Sequence, residues 1–251
     1  MLSSGLNHKK KCRKSVLTKM QKKKIDNYQK TEQSTRVLVW DLPTRLFHWL
    51  LLITVILSFV TGNIGGIVMK YHLLSGYAIL VLLIFRLTWG FVGSRTARFS
   101  SFVKGPATVF SHVGVLLQKK KETPYLGHNP LGGWSIVAML LVLFVQVATG
   151  LFANDDILTE GPLYVWVSKE TSNLLTWVHL INRFVLVALI AIHIFAVFFY
   201  FFFKHENLIV PMITGRKRRH ADVDNPAASN LLAAAIFGLA ILVVYLLVQP
   251  R

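Results

Sequence analysis

Long uncharged apolar runs, broken by short polar segments, set the pattern of this chain. Between Arg45 and Lys70 no Asp, Glu, Lys or Arg occurs, which predicts a first helix near 46–67. A second run near 71–92 is interrupted by Arg86, a third covers about 132–153, and a fourth, near 173–203, carries Arg183. The fifth runs from Leu231 to Val248, after Asn225-Pro226 and Asn230 as helix-start signals. A helix needs about 20 apolar residues to cross the hydrocarbon of a bilayer, and all five runs qualify. The expected fold class is therefore all-α, an integral membrane four-helix bundle plus a fifth C-terminal transmembrane helix.

Composition agrees with the pattern. Hydrophobic residues make up 53% of the 251 positions and charged residues 16%, and the mean hydropathy is +0.51, too apolar for an ordinary soluble domain. A net charge of +17 would suggest nucleic acid in a soluble protein. Here the cations sit in segments flanking the apolar runs, so they read as membrane anchors and nucleic acid is not an expected partner. The apolar run from Leu46 is too long for a signal-peptide core, so it is expected to be retained, behind a basic tail over 1–36.

The distribution of Lys and Arg also predicts orientation. The tail, the 93–131 connection (Arg95, Arg98, Lys104, Lys119, Lys120, Lys121) and the 204–226 connection (Lys204, Arg216, Lys217, Arg218, Arg219) are basic. The 62–70 turn and the 154–172 loop carry only Lys70 and Lys169, and the loop adds Asp155, Asp156, Glu160 and Glu170. These two sets alternate as five spans require. The expectation is a bacterial inner-membrane protein with a cytoplasmic N-terminus and a periplasmic C-terminus.

Candidate chemistry enters with the histidines. Of nine, His48 lies at the start of the first run, His72 at the start of the second, and His179 and His193 on the fourth. Ionisable groups inside a membrane are costly and mark function. His179 and His193 are 14 residues apart, which returns them to within about 40° of one helix face and separates them by about 21 Å along the axis. By the predicted orientation His72 and His179 share the periplasmic depth, and His48 and His193 the cytoplasmic one. Two imidazoles at each depth are the axial set that fills both open positions of a haem iron, an arrangement suited to electron transfer. The single cysteine, Cys12, rules out a Cys-x-x-Cys-His attachment, so two haems b would be held non-covalently. Helix-to-helix hydrogen bonding is the plainer use of a membrane histidine, and a bare zinc or copper ion would want more protein ligands than either depth offers.

Three arginines accompany these residues. Arg86, 14 residues after His72, shares its face near the cytoplasmic depth, and Arg183 follows His179 by one turn. Both are candidates to bind a haem propionate, as is Arg45, one turn before His48, for which snorkelling to the interface is the alternative. His8, His205 and His220 sit among charges and read as solvated. His112 and His128 fall on the cytoplasmic connection, where a surface role is expected. Gly127-His128-Asn129-Pro130 opens the third run, as a cap or as the edge of a quinone or proton-entry site.

Four segments together resemble the bacterial cytochrome b561 family, whose superfamily includes the b-type cytochrome subunits of membrane-bound nickel-iron hydrogenases. They are Trp40-Asp41-Leu42-Pro43-Thr44-Arg45-Leu46-Phe47-His48-Trp49, Phe85-Arg86-Leu87-Thr88-Trp89-Gly90-Phe91-Val92-Gly93, Gly127-His128-Asn129-Pro130 and Met212-Ile213-Thr214-Gly215-Arg216. The resemblance implies a haem-binding four-helix bundle over 37–216, with 217–251 as a linker and extra helix. Position by position it implies the ligands His48, His72, His179 and His193, and electron exchange between quinone or quinol and a periplasmic redox protein such as a cytochrome c. The fifth span and the basic tail depart from the family's pattern. Asp155 and Asp156 are candidates to attract a basic cytochrome c, against an ordinary solvated turn.

Two other functions compete with this one. The first is a membrane anchor for a periplasmic oxidoreductase such as a hydrogenase, with the fifth helix making subunit contacts. The second is a superoxide:quinone oxidoreductase, ranked last because the expected periplasmic side is poor in the cations that steer superoxide. No pair of broken helices suggests a transporter.

Overall fold

The computed structural model describes residues 35–117, 125–219 and 228–249. The basic tail with His8 and Cys12, Lys119, Lys120, Lys121, His220 and Asn225-Pro226 lie outside the described residues. Five helices are long and apolar enough to cross a membrane by length and composition: Leu42–Ile64, Gly66–Val92, Pro130–Gly150, Lys169–Phe203 and Asn230–Val248.

Local chemistry explains where they start. Helix α1 (Leu42–Ile64) begins earlier than the apolar run because Asp41 caps it, accepting from the Thr44 amide at 2.9 Å, with proline in the first turn. It ends at Gly65, whose φ of 68° is a left-handed conformation that glycine adopts without a Cβ penalty. A single 3-10 turn, Gly66–Val68, leads into α2 (Met69–Val92). Two short helices follow, α3 (Phe99–Phe102) and α4 (Pro106–Leu117), which the apolar pattern does not reveal. Asn129 caps α5 (Pro130–Gly150) and accepts from Gly132 N at 2.7 Å. Ser168 caps α6 (Lys169–Phe203), so its polar first turn precedes the apolar run. Helix α7 (Ile209–Thr214) is short, and α8 (Asn230–Val248) starts on a Ser229 cap.

Two compact units divide the chain, and the larger, Leu38–Gly215 with Asn225–Arg251, holds the helices. Within it α1 packs along α2, and α5 along α6. The two hairpins meet where α2 touches α5, while α6 stands off from α1 and α2. Helix α2 is the centre: Ile79, Leu80, Val81, Leu82 and Leu83 are buried in succession, as expected of a helix covered on all sides. One cover is α8, where Ala233, Ala240 and Val244 are buried and Phe237 meets Phe85 edge-on at 5.9 Å. Small side chains at such a seam let two helices approach closely. Helix α6, with 35 residues, is about 52 Å long, more than the about 30 Å of hydrocarbon, so it carries His179 and His193 at separate heights with length to spare.

Of the other unit, Met1–Val37 with Arg216–Asp224, the described part is a two-stranded ribbon of β1 (Thr35–Leu38) and β2 (Arg216–Arg219). Four-residue strands are too short to show an alternating pattern in sequence.

Two expectations for the connection between α2 and α5 need correction. His112, expected at the surface, is 5% exposed and meets Tyr125 edge-on at 5.6 Å. His128 is partly buried, with Trp40 at 4.5 Å and Phe102 at 5.1 Å between ring centres. Both are folded in because this connection lies back on the bundle through α3 and α4 rather than extending into solvent.

Candidate functional site

The four membrane histidines come together in two pairs. His48 on α1 faces His193 on α6 with ring centres 6.5 Å apart, and His72 on α2 faces His179 on α6 at 6.1 Å. Each pair therefore reaches from α6, which packs mainly along α5, to the α1–α2 hairpin. All four rings are partly buried.

At the His72–His179 level each imidazole is held by the neighbouring helix. His72 Nδ1 lies 2.9 Å from Ser58 O and 3.2 Å from Ser58 Oγ on α1. His179 Nδ1 lies 2.8 Å from Gln146 O on α5. A carbonyl only accepts, so Nδ1 carries the proton in both rings and Nε2 presents its lone pair. Second-sphere carbonyls of this kind fix the tautomer and orientation of metal-binding histidines. In this structure the lone pair of His179 Nε2 accepts from Gln146 Nε2 at 3.1 Å, and Gln146 Oε1 in turn accepts from Asn182 Nδ2 at 2.7 Å. That amide and a metal are alternative partners for one nitrogen.

The fit to haem is tested on spacing and donor set. A first-row metal–imidazole bond is about 2 Å, so two rings clamping one metal have centres about 6 Å apart once the ring radii are added. Both pairs have that separation. Among the described residues no three His, Cys, Asp or Glu side chains gather to hold an ion, and two imidazoles at each level suit a metal whose other ligands come with it, as porphyrin nitrogens do.

The four motifs meet around the His48–His193 end of the bundle. Asp41, 2% exposed, caps α1 with Oδ1 and accepts from Trp89 Nε1 with Oδ2 at 3.1 Å, joining the start of α1 to the end of α2. Arg45 Nη1 donates to Ile213 O at 2.5 Å and Trp49 Nε1 to Met212 O at 3.2 Å, which binds α7 to α1. Thr96 donates its hydroxyl to Val39 O. A Cβ on Gly90 would strike the Phe99 ring at 2.0 Å, so this close approach requires glycine. Asn129 Nδ2 donates to Tyr200 Oη at 2.6 Å, joining the start of α5 to the end of α6.

The arginines carry free capacity. Arg86 is 3% exposed; its Nη2 donates to Ala97 O at 3.1 Å, its guanidinium lies over Phe99 at 5.0 Å, and its buried Nη1 meets no partner among the described residues. Arg183 lies over Phe184 at 4.8 Å, and the buried Nε atoms of Arg183 and Arg45 have no partner among the described residues. His48 Nδ1 and His128 Nδ1 are likewise enclosed, with no hydrogen-bond partner among the described residues. Burial first, then the charges of Arg86, His193 and His48, bring the His128 pKa down to about 3, so this ring is neutral. Its neighbour Asn129, not His128, provides the cap.

Sequence reasoning missed the groups that orient His72 and His179. Ser58-Phe59-Val60-Thr61-Gly62 and Gln146-Val147-Ala148-Thr149-Gly150 place a carbonyl, a threonine and a glycine at matching positions. The Thr61 and Thr149 hydroxyls donate back into their own helices, to Leu57 O and Val145 O at 2.7 Å each. The repeated Thr-Gly near the end of the first and third apolar runs is the signal that could have found them.

Comparison with known proteins matches residues 39–215 to the family model described as prokaryotic cytochrome b561. A probable Ni/Fe-hydrogenase B-type cytochrome subunit of Azotobacter chroococcum is 27% identical over 222 residues, 76% of this chain and 92% of that protein. One from Bradyrhizobium diazoefficiens is 24% identical, covering 72% of this chain and 86% of its own length. The probable Ni/Fe-hydrogenase 1 B-type cytochrome subunit of Escherichia coli K12 is 22% identical over 80% of this chain and 99% of its own. No solved structure matches the chain.

Proposed function

The chain belongs to the prokaryotic cytochrome b561 family, and from that premise we propose that it conducts electrons across a bacterial inner membrane through two bis-histidine haems b, between the quinone pool and a periplasmic redox protein. The family makes it a multi-pass b-type cytochrome of membrane electron transfer. The observation that carries the finer reading is the pair of facing imidazoles at each of two levels, 6.5 Å and 6.1 Å between ring centres. When bound there, haem supplies a one-electron carrier whose axial positions are both filled, leaving none open for oxygen or substrate.

The protein's own residues do the rest. His48 and His193 hold one group, and His72 and His179 the other, with Ser58 and Gln146 fixing the second pair. Haem carries two propionates, and the buried nitrogens of Arg86, Arg183 and Arg45 that lack partners suit such anions. In this reading 37–216 is the di-haem unit, 1–36 a cytoplasmic tail and 217–251 a linker and added helix. The Lys and Arg distribution supports a cytoplasmic N-terminus and a periplasmic C-terminus. Haem quantification and redox titration of the purified protein test the proposal: two reducible low-spin haems per chain support it, and one or none refutes it.

The relatives' names favour a more specific partner, a periplasmic hydrogenase for which this chain is the membrane cytochrome subunit. Purification from native membranes should then recover a stoichiometric hydrogenase. Recovery of the cytochrome alone, still reduced by quinol, counts against that partner and leaves the di-haem reading intact.

A further inference from the structure

We infer that Gly62 and Gly150 are positioning residues that hold the haem of the His72–His179 level at a lower reduction potential than that of the His48–His193 level. The inference rests on the two-haem reading above. A Cβ on Gly62 would lie 2.7 Å from His72 Nδ1, and one on Gly150 would lie 2.9 Å from His179 Cε1 and 3.1 Å from its Nδ1. Any larger residue at either position must push the imidazole aside. Each glycine sits one turn after the residue whose carbonyl takes the Nδ1 proton, Ser58 for Gly62 and Gln146 for Gly150. The two helices thus use one device: a carbonyl to accept, and a missing side chain to let the ring reach it.

The chemical consequence follows from charge. A ring N–H donated to a carbonyl makes the opposite nitrogen a stronger donor. A stronger axial donor favours the oxidised, more positive iron, so the potential falls. At the other level His48 Nδ1 is enclosed and meets no acceptor among the described residues, so that ring lacks the same enhancement. The redox change involved is the gain of one electron by each haem iron, with no bond made or broken and no proton moved. Electrons shared between the levels then rest on the His48–His193 side.

Redox titration of the full-length protein in detergent, followed by optical and paramagnetic resonance spectra, tests this on Gly62→Ala, Gly150→Ala and the control Gly238→Ala on α8, an exposed position whose Cβ would meet nothing within 4 Å. The two site variants should raise the potential of the lower-potential haem alone, by about tenfold in its reduction equilibrium, or about 59 mV for one electron. The control should move neither. Unchanged potentials in both site variants, or equal shifts of both haems, overturn the inference. Should the variants lose haem, His48→Ala decides: the haem that survives must be the lower-potential component, and survival of the higher one overturns the inference. Fewer than two haems in the unaltered protein refutes the two-haem reading instead.

Discussion

The two levels of the bundle pair the same side chains and support them in different ways. At the His72–His179 level the rings are tied to main-chain carbonyls of the adjacent helices, Ser58 O and Gln146 O, at 2.9 and 2.8 Å. At the His48–His193 level His48 Nδ1 has no such tie among the described residues, and the surrounding motifs brace the site: Asp41 to Trp89, Arg45 to Ile213, Trp49 to Met212. One pair is oriented by direct contacts to its rings and the other by the frame around it. Similar ring separations therefore coexist with different hydrogen-bond surroundings.

The largest test of this contrast removes a ligand. His179→Ala should halve the haem content and abolish the component assigned to the His72–His179 level, read by haem quantification, while His193→Ala should abolish the other. Loss of the same component from both variants would break the assignment of two levels.

A smaller effect is expected when the frame is loosened. Asp41→Ala deletes a helix cap and leaves the buried Trp89 indole unsatisfied, costing about 2–4 kcal/mol. Thermal unfolding in detergent should show the loss, with the His48–His193 haem released first and the other retained to higher temperature. Asp41→Asn keeps one acceptor for two donors, so it should recover only part of the stability, the cap or the Trp89 bond but not both.

Asn182→Ala acts on the opposite level. It removes the donor to Gln146 Oε1 at 2.7 Å and to Val142 O at 2.9 Å, a change of about 1 kcal/mol. Its spectral effect should be confined to the His72–His179 haem, and an equal perturbation of both haems would contradict the separation of the two levels.

The smallest effect is predicted in the loop between α5 and α6. Asp155 Oδ1 accepts from the amides of Thr159, Ile157 and Leu158, and these bonds, Thr159 first, hold its carboxyl down to about 2. The ionised form is thus the one the folded loop favours. Its contribution is full above the ordinary carboxylate pKa and is lost as pH falls through about 2. Asp155→Asn should raise protease sensitivity of the loop at neutral pH and leave both haem potentials unchanged.

Much of this architecture is legible in one dimension. The five spans follow from runs without charge, because a bilayer demands unbroken apolar length. The cap residues Asp41, Asn129 and Ser168 then account for why α1, α5 and α6 start up to four residues before the apolar runs do. The four candidate ligands emerge from histidines at matched depths, since helix rise converts spacing into height. Arg86 and Arg183 stand out as charges within those runs, but nothing local says that Arg86 turns its guanidinium onto Phe99 and Ala97 O.

What the chain alone determined was the number of membrane-length helices, their approximate extent and the relative height of the histidines on them, all properties of local composition and helical period. Tertiary packing alone decided that α6 stands away from α1 and α2, that α8 seals α2, and that Ser58 and Gln146 offer their carbonyls to rings on other helices. A carbonyl's partner depends on which helices lie side by side and how they are rotated. Every residue carries the same backbone group, so sequence distinguishes such an acceptor only by the glycine that leaves room beside it.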